Sequence, residues 1–309
     1  MEKSVPWFRV KGLIAAPVTP LTKDGEIDVS KIDGYVDKLC NDGVKNVYVN
    51  GTTGEGFSLS VEERKILGEK WLSAGKNKLD SIILQIGTGN LKTTQELARH
   101  AEKIGVPAIA AIPTVPLKPK CVDDIVVYLK QIAEVAPNTA LFYYHFDKLT
   151  GVSFAMETLL DAVKDQVPTF HGMKFTSEDL YDLSRCLQHS GGKYQTFSSR
   201  DELLLPSLCL GGQAFVGSTH NFLGRFNNRI YEAFHRGDID TARQLQYQQH
   251  KFIHILRKYG ADPSVHKHIM ALSGFDCGPA RYPFADLSEE QIQNLKKDLE
   301  EIKYFEMIK

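Results

Sequence analysis

Eight short apolar runs recur along the chain, at residues 13–18, 46–50, 81–86, 108–112, 140–145, 170–175, 195–198 and 214–217. Each is bounded by turn residues and has the length of a strand, too short for a buried helix. The stretches between them carry helical periodicity, beginning near Val29, Ser60, Thr93, Val122, Ala155, Ser177 and Glu202. Ser60-Val61-Glu62-Glu63 has the form of a capping box, which marks the start of the second of these helices. Strands separated by helices pair in parallel, and eight such units predict a closed (β/α)8 TIM barrel. A doubly wound open sheet is the alternative.

Beyond residue 224 the strand signal stops. Helices are expected over 228–236, 240–259 and 264–273, ended by Gly237, Gly260 and Gly274, and a last one runs from Ser288 toward Tyr304. The chain therefore divides into a barrel over 8–224 and a C-terminal helical extension over 225–309. With 37 basic and 38 acidic residues evenly mixed, the charge pattern argues against a nucleic-acid or membrane-surface binder. The five cysteines fit no disulfide framework or zinc spacing and suggest a reducing compartment. Residues 1–7 hold no stretch long enough for a signal peptide, and no run approaches a membrane span, so a cytoplasmic protein is expected.

A barrel of this kind carries its site at the C-terminal ends of its strands, and several polar residues fall there. Lys174 lies inside the sixth apolar run, where desolvation favours a free amine able to attack a carbonyl; a head snorkelling to water is the plainer alternative. Thr176 shares its face. The second strand ends in Asn50-Gly51-Thr52-Thr53-Gly54-Glu55-Gly56. Glycines there allow a tight turn, and the following helix N-terminus offers N–H groups, so the loop suits a carboxylate or phosphate. Thr52 and Thr53 add hydroxyl donors. Tyr144, on the fifth strand, can relay a proton or orient a carbonyl, or simply pack. After the seventh strand come Ser199, Arg200, Asp201 and Glu202, and after the eighth Ser218. Acidic groups plus hydroxyls suit a polyhydroxylated ligand, although Asp201 and Glu202 equally suit a helix N-terminus. Gly87-Thr88-Gly89 lacks the third glycine of a dinucleotide fingerprint. His250, His254, His266 and His268 lack a metal-ligand pattern, so no metal or organic cofactor is expected.

The Gly51-Thr52-Thr53-Gly54-Glu55 loop, Tyr144 and Gly172-Met173-Lys174 at these separations resemble the pyruvate-dependent class I aldolase family of N-acetylneuraminate lyase and dihydrodipicolinate synthase. The resemblance covers nearly the whole chain. It implies a (β/α)8 barrel, a homotetramer, and a Lys174 Schiff base with pyruvate. Tyr144, linked through Thr52, would move the proton; Thr52 and Thr53 would hold the carboxylate; Thr176, Ser199, Asp201, Glu202 and Ser218 would position a polyol. Leu149 stands where the synthase branch carries an arginine, and the lyase branch carries leucine there, which implies cleavage of N-acetylneuraminate to pyruvate and N-acetylmannosamine. Another pyruvate-dependent aldolase and a non-catalytic barrel that binds keto acids or sialic acid stay open. Three positions depart from the family pattern. Ser199 replaces a glycine, implying a narrower pocket; Asp147 replaces a proline, implying a looser loop; Thr114-Val115-Pro116 replaces an aromatic segment near the mouth.

Overall fold

The computed structural model describes residues 8–309; the expectation about residues 1–7 lies outside these. Eight parallel strands close into a barrel in chain order. They are β1 (Gly12–Ala15), β2 (Asn46–Val49), β3 (Ser81–Gln85), β4 (Ala108–Ala111), β5 (Ala140–His145), β6 (Phe170–Phe175), β7 (Gln195–Ser198) and β8 (Ala214–Gly217). The last four have the bounds expected from the sequence. β1 stops three residues short of the apolar run because Pro17 has no N–H to give the ladder. Residues 16–18 nevertheless stay buried.

The helices are α1 (Ile32–Asn41), α2 (Val61–Gly75), α3 (Leu91–Ile104), α4 (Val122–Ala133), α5 (Asp147–Thr150), α6 (Met156–Val163) and α7 (Leu180–Gln188). They continue as α8 (Leu204–Cys209), α9 (His220–His235), α10 (Ile239–Lys258), α11 (Pro263–Leu272), α12 (Glu289–Glu301) and α13 (Tyr304–Met307). Capping boxes start α2 at Ser60 and α12 at Ser288, as their sequences predict. The helix expected from residue 228 begins at His220 instead. The run Ser218-Thr219-His220-Asn221 reads as loop, yet Asn221 is buried and donates to the carbonyls of Ala16 and Ser218, both at 2.7 Å. The division expected between residues 224 and 225 accordingly falls inside α9. No helix among the described residues is long and apolar enough to cross a membrane.

Burial on both strand faces explains the continuous apolar runs. One cluster fills the barrel interior, with Ile14, Tyr48, Ile83, Phe142, Tyr144 and Phe197 among its members. The other lies between strands and helices and takes the alternate residues, such as Leu141, Tyr143, Met173 and Phe175. The β5–β6 register slips at Leu141/Phe142, leaving His171 as the extra residue. Gly172 follows at φ 149°, and a Cβ there would stand 1.8 Å from the Gln195 carbonyl oxygen. Only glycine fits. After the slip Lys174 faces the interior, opposite Tyr144 in register.

Candidate active site

Lys174 is 4% exposed, and its Nζ lies 4.2 Å from the centre of the Tyr48 ring and 4.1 Å from that of Tyr144. Burial lowers its pKa to about 7, with the Asp201 carboxylate pulling the other way. Half of such amines are unprotonated at neutral pH, against roughly one in a few thousand for an ordinary lysine. The snorkelling alternative fails, since the head lies over the Tyr48 and Tyr144 rings inside the barrel and does not reach the outer surface.

The loop after β2 turns at Asn50, whose φ is 59°. Internal bonds from Gly56 N–H to the Gly51 carbonyl (3.0 Å) and from Glu55 N–H to the Thr52 carbonyl (3.1 Å) hold it. Among the described residues, the N–H groups of Thr52 and Thr53 donate to no protein acceptor. The α2 N-terminus, expected to offer donors here, spends the Glu63 N–H on the Ser60 side chain, with the Glu63 carboxylate taking the Ser60 N–H, and none of its residues lines the cavity. The donors left for an anion are therefore the threonine hydroxyls and their own N–H groups. Thr52 and Tyr144 hydroxyls lie 3.2 Å apart. Burial raises the Tyr144 phenol to about 12, opposed by the hydroxyls of Thr52 and Thr176 and by Arg200. It is a neutral phenol at physiological pH.

The same loop is pinned from below. Glu55 pairs with Lys267 of α11 at 2.6 Å, both side chains nearly inaccessible, and takes the Arg281 N–H at 2.6 Å. Arg281 in turn forms a two-pronged pair with Glu63 at 2.9 and 2.7 Å. α11 and the segment after it thus fix the loop that carries Thr52 and Thr53.

Across the cavity, Asp201 takes the Thr219 N–H at 3.1 Å through Oδ2, while its Oδ1 has no hydrogen-bond partner. Its carboxylate packs against Gly217, where a Cβ would sit 1.7 Å from Oδ1. His220 Nε2 approaches Oδ1 to 3.8 Å. Glu202 pairs with Arg257 at 2.5 Å and with Arg200 at 3.9 Å. Ser218 Oγ stands 2.9 Å from His266 Nε2.

All nine residues singled out from the sequence (Thr52, Thr53, Tyr144, Lys174, Thr176, Ser199, Asp201, Glu202 and Ser218) line one cavity of about 370 Å³. Leu149, 52% exposed, lies at its rim. Asp147 does not loosen its loop. Its carboxylate takes the Ser177 hydroxyl at 3.0 Å and the Lys148 N–H at 2.7 Å, so it ties α5 to the end of β6. The Thr114 hydroxyl donates to the Leu117 carbonyl at 2.7 Å, closing the Thr114-Val115-Pro116 segment on itself.

Several lining or flanking residues were not read from the sequence as site residues. Tyr48 sits two residues before Asn50 on β2, and the alternation that pointed Tyr144 inward points it inward as well. His266 was weighed only as a metal ligand, and no group of three or more metal-ligating side chains exists among the described residues. His250 instead donates to the Glu202 carbonyl at 2.9 Å. Arg200 and Arg257 also line the cavity, so guanidinium groups are present despite Leu149; both are engaged by carboxylates.

The chain is similar to known proteins over nearly all its length. It is 44% identical over 300 residues to N-acetylneuraminate lyase of Sus scrofa, covering 96% of this chain and 94% of that one. It is 43% identical to that of Gallus gallus, covering 96% and 97%. The structure superposes on N-acetylneuraminate lyase of Proteus mirabilis with a TM-score of 0.91 at 36% identity, covering 96% and 99% of the two chains. A catalytic lysine mutant of the Ruminococcus gnavus sialic acid aldolase gives 0.89 at 30% identity, covering 95% of each chain. The sequence pattern of the dihydrodipicolinate synthetase family matches residues 9–302, and the chain belongs to that family.

Proposed function

We infer that the chain is an N-acetylneuraminate lyase, a class I aldolase that cleaves the nine-carbon keto-sugar acid to pyruvate and N-acetylmannosamine. The observation that carries this is one cavity with a desolvated amine and the Thr52 and Thr53 donors for a carboxylate at one end and an acceptor-rich wall at the other. The Lys174 amine attacks the C2 ketone of the open-chain sugar, and loss of water leaves a protonated Schiff base. The hydroxyls and N–H groups of Thr52 and Thr53 hold the C1 carboxylate beside it. Tyr144 takes the proton from the C4 hydroxyl while its own moves on through Thr52. The C3–C4 electron pair flows into the iminium as C4 becomes the aldehyde of N-acetylmannosamine. The Thr52–Tyr144 pair returns that proton to C3 of the enamine, and hydrolysis then releases pyruvate and the free amine. Thr176, Ser199, Asp201, Glu202 and Ser218 hold the polyol.

In the synthase branch a guanidinium must receive the second substrate's carboxylate. Here Arg200 is held by Glu178 and Glu202, and Arg257 by Glu202. The deciding assay compares N-acetylneuraminate cleavage with pyruvate–aspartate semialdehyde condensation. Cleavage with no detectable condensation supports the reading; fast condensation overturns it. A cytoplasmic homotetramer completes the proposal, checked by a light-scattering mass of four 34.6 kDa chains.

A further inference from the structure

His266 occupies the first turn of α11, where the Asp262 side chain caps the N–H groups of Ser264 and Val265. The Asp262 carbonyl faces His266 Nδ1 at 2.5 Å. A carbonyl oxygen only accepts, so Nδ1 carries the proton. In the neutral ring Nε2 is then a lone-pair acceptor, and the group 2.9 Å away is the Ser218 hydroxyl. That hydroxyl has one proton, and it is directed at His266. What Ser218 turns to the cavity is therefore an oxygen lone pair. The Phe222 ring, 5.8 Å from the imidazole centre, holds the arrangement from behind. Burial lowers the His266 pKa, against the pull of the Asp262 carbonyl and the Asp201 and Asp262 carboxylates, which keeps the ring neutral.

We propose that His266 is a positioning residue that sets specificity: by taking the Ser218 proton it makes Ser218 an acceptor, so the distal wall selects ligands whose hydroxyls are free to donate. Asp201 Oδ1 and the Glu202 carboxylate supply acceptors on the same wall. The wall thus favours an unsubstituted polyol over one whose hydroxyls are missing or acylated, because a buried acceptor without a donor is costly. This rests on the lyase reading above and specifies which end of the sugar is selected, and how.

The test compares kcat/KM for N-acetylneuraminate with kcat/KM for its analogue lacking the last three tail carbons. The ratio of the two cancels any common effect of a substitution on folding or on Schiff-base chemistry. Ser218→Ala should lower the preference for the full tail roughly 3–10-fold, the worth of one net hydrogen bond. His266→Phe should lower it by a similar factor, mainly through KM for the full-length substrate, and the double variant should lose no more than either single one. His266→Gln, which can bring an amide oxygen to the Nε2 position, should recover most of the preference. An unchanged ratio in His266→Phe overturns the proposal, as does independent loss in the double variant or a His266→Gln no better than His266→Phe. Failure of the lyase reading itself would show differently, as absent cleavage of both sugars by the unsubstituted enzyme.

Discussion

Replacing Lys174 with methionine should abolish catalysis and at the same time stabilise the fold. In the folded chain burial brings this ammonium to about 7, whereas an unfolded lysine releases its proton at about 10.4. Between those values the unfolded chain binds more protons, so raising the pH favours the folded state. Below about pH 7 the full cost of the buried amine is present. A gap of about 3.5 units at about 1.4 kcal/mol each makes that cost about 5 kcal/mol, and roughly 4 kcal/mol at pH 7. The two ring faces over Nζ offset part of it, about 1–2 kcal/mol. Methionine has similar length, fills the space and has no charge to desolvate. Urea unfolding at pH 7 should show Lys174→Met more stable by about 2–4 kcal/mol. The advantage should shrink toward pH 9.5, by up to about 1.4 kcal/mol per unit. A variant less stable than the parent, or an advantage independent of pH, refutes a desolvated amine at position 174.

Tyr144→Phe keeps the ring against Tyr48 and removes the relay, so turnover should fall roughly 10²–10⁴-fold in a coupled pyruvate assay while folding survives. Asp201→Ala and Glu202→Ala should each weaken N-acetylneuraminate cleavage roughly 10–150-fold in kcat/KM, with pyruvate trapping affected far less. Asp201→Ala should also lower stability by about 1–3 kcal/mol in a denaturant titration, since the Thr219 N–H loses its acceptor. Lys267→Met leaves Glu55 buried without its cation, so about 3–5 kcal/mol of stability should be lost, measurable in the same titration.

The barrel was legible because parallel strands buried on both faces must be apolar throughout, and runs such as 140–145 and 170–175 announce their own ends. The start of α9 was not, because Thr219, His220 and Asn221 are polar for reasons outside the helix: Asn221 bonds to the Ala16 carbonyl just past β1, and His220 faces Asp201. Periodicity carries no trace of such partners. Lys174 and the threonine loop stood out because charge and glycine are costly where they sit. His266, Lys267 and Arg281 come from the C-terminal segment and meet the site only through the fold. Asp147 misled for the same reason: its partner Ser177 lies on another strand's exit.

In the proposed mechanism Lys174 forms the covalent link to the keto acid. Incubation with pyruvate and borohydride, followed by intact mass and peptide mapping, reads this directly. One reduced pyruvyl group per chain is expected, on Lys174, and none on Lys174→Ala or on Lys174→Arg, whose guanidinium stays protonated. A label on another residue, or an unlabelled chain that still cleaves N-acetylneuraminate, would contradict it.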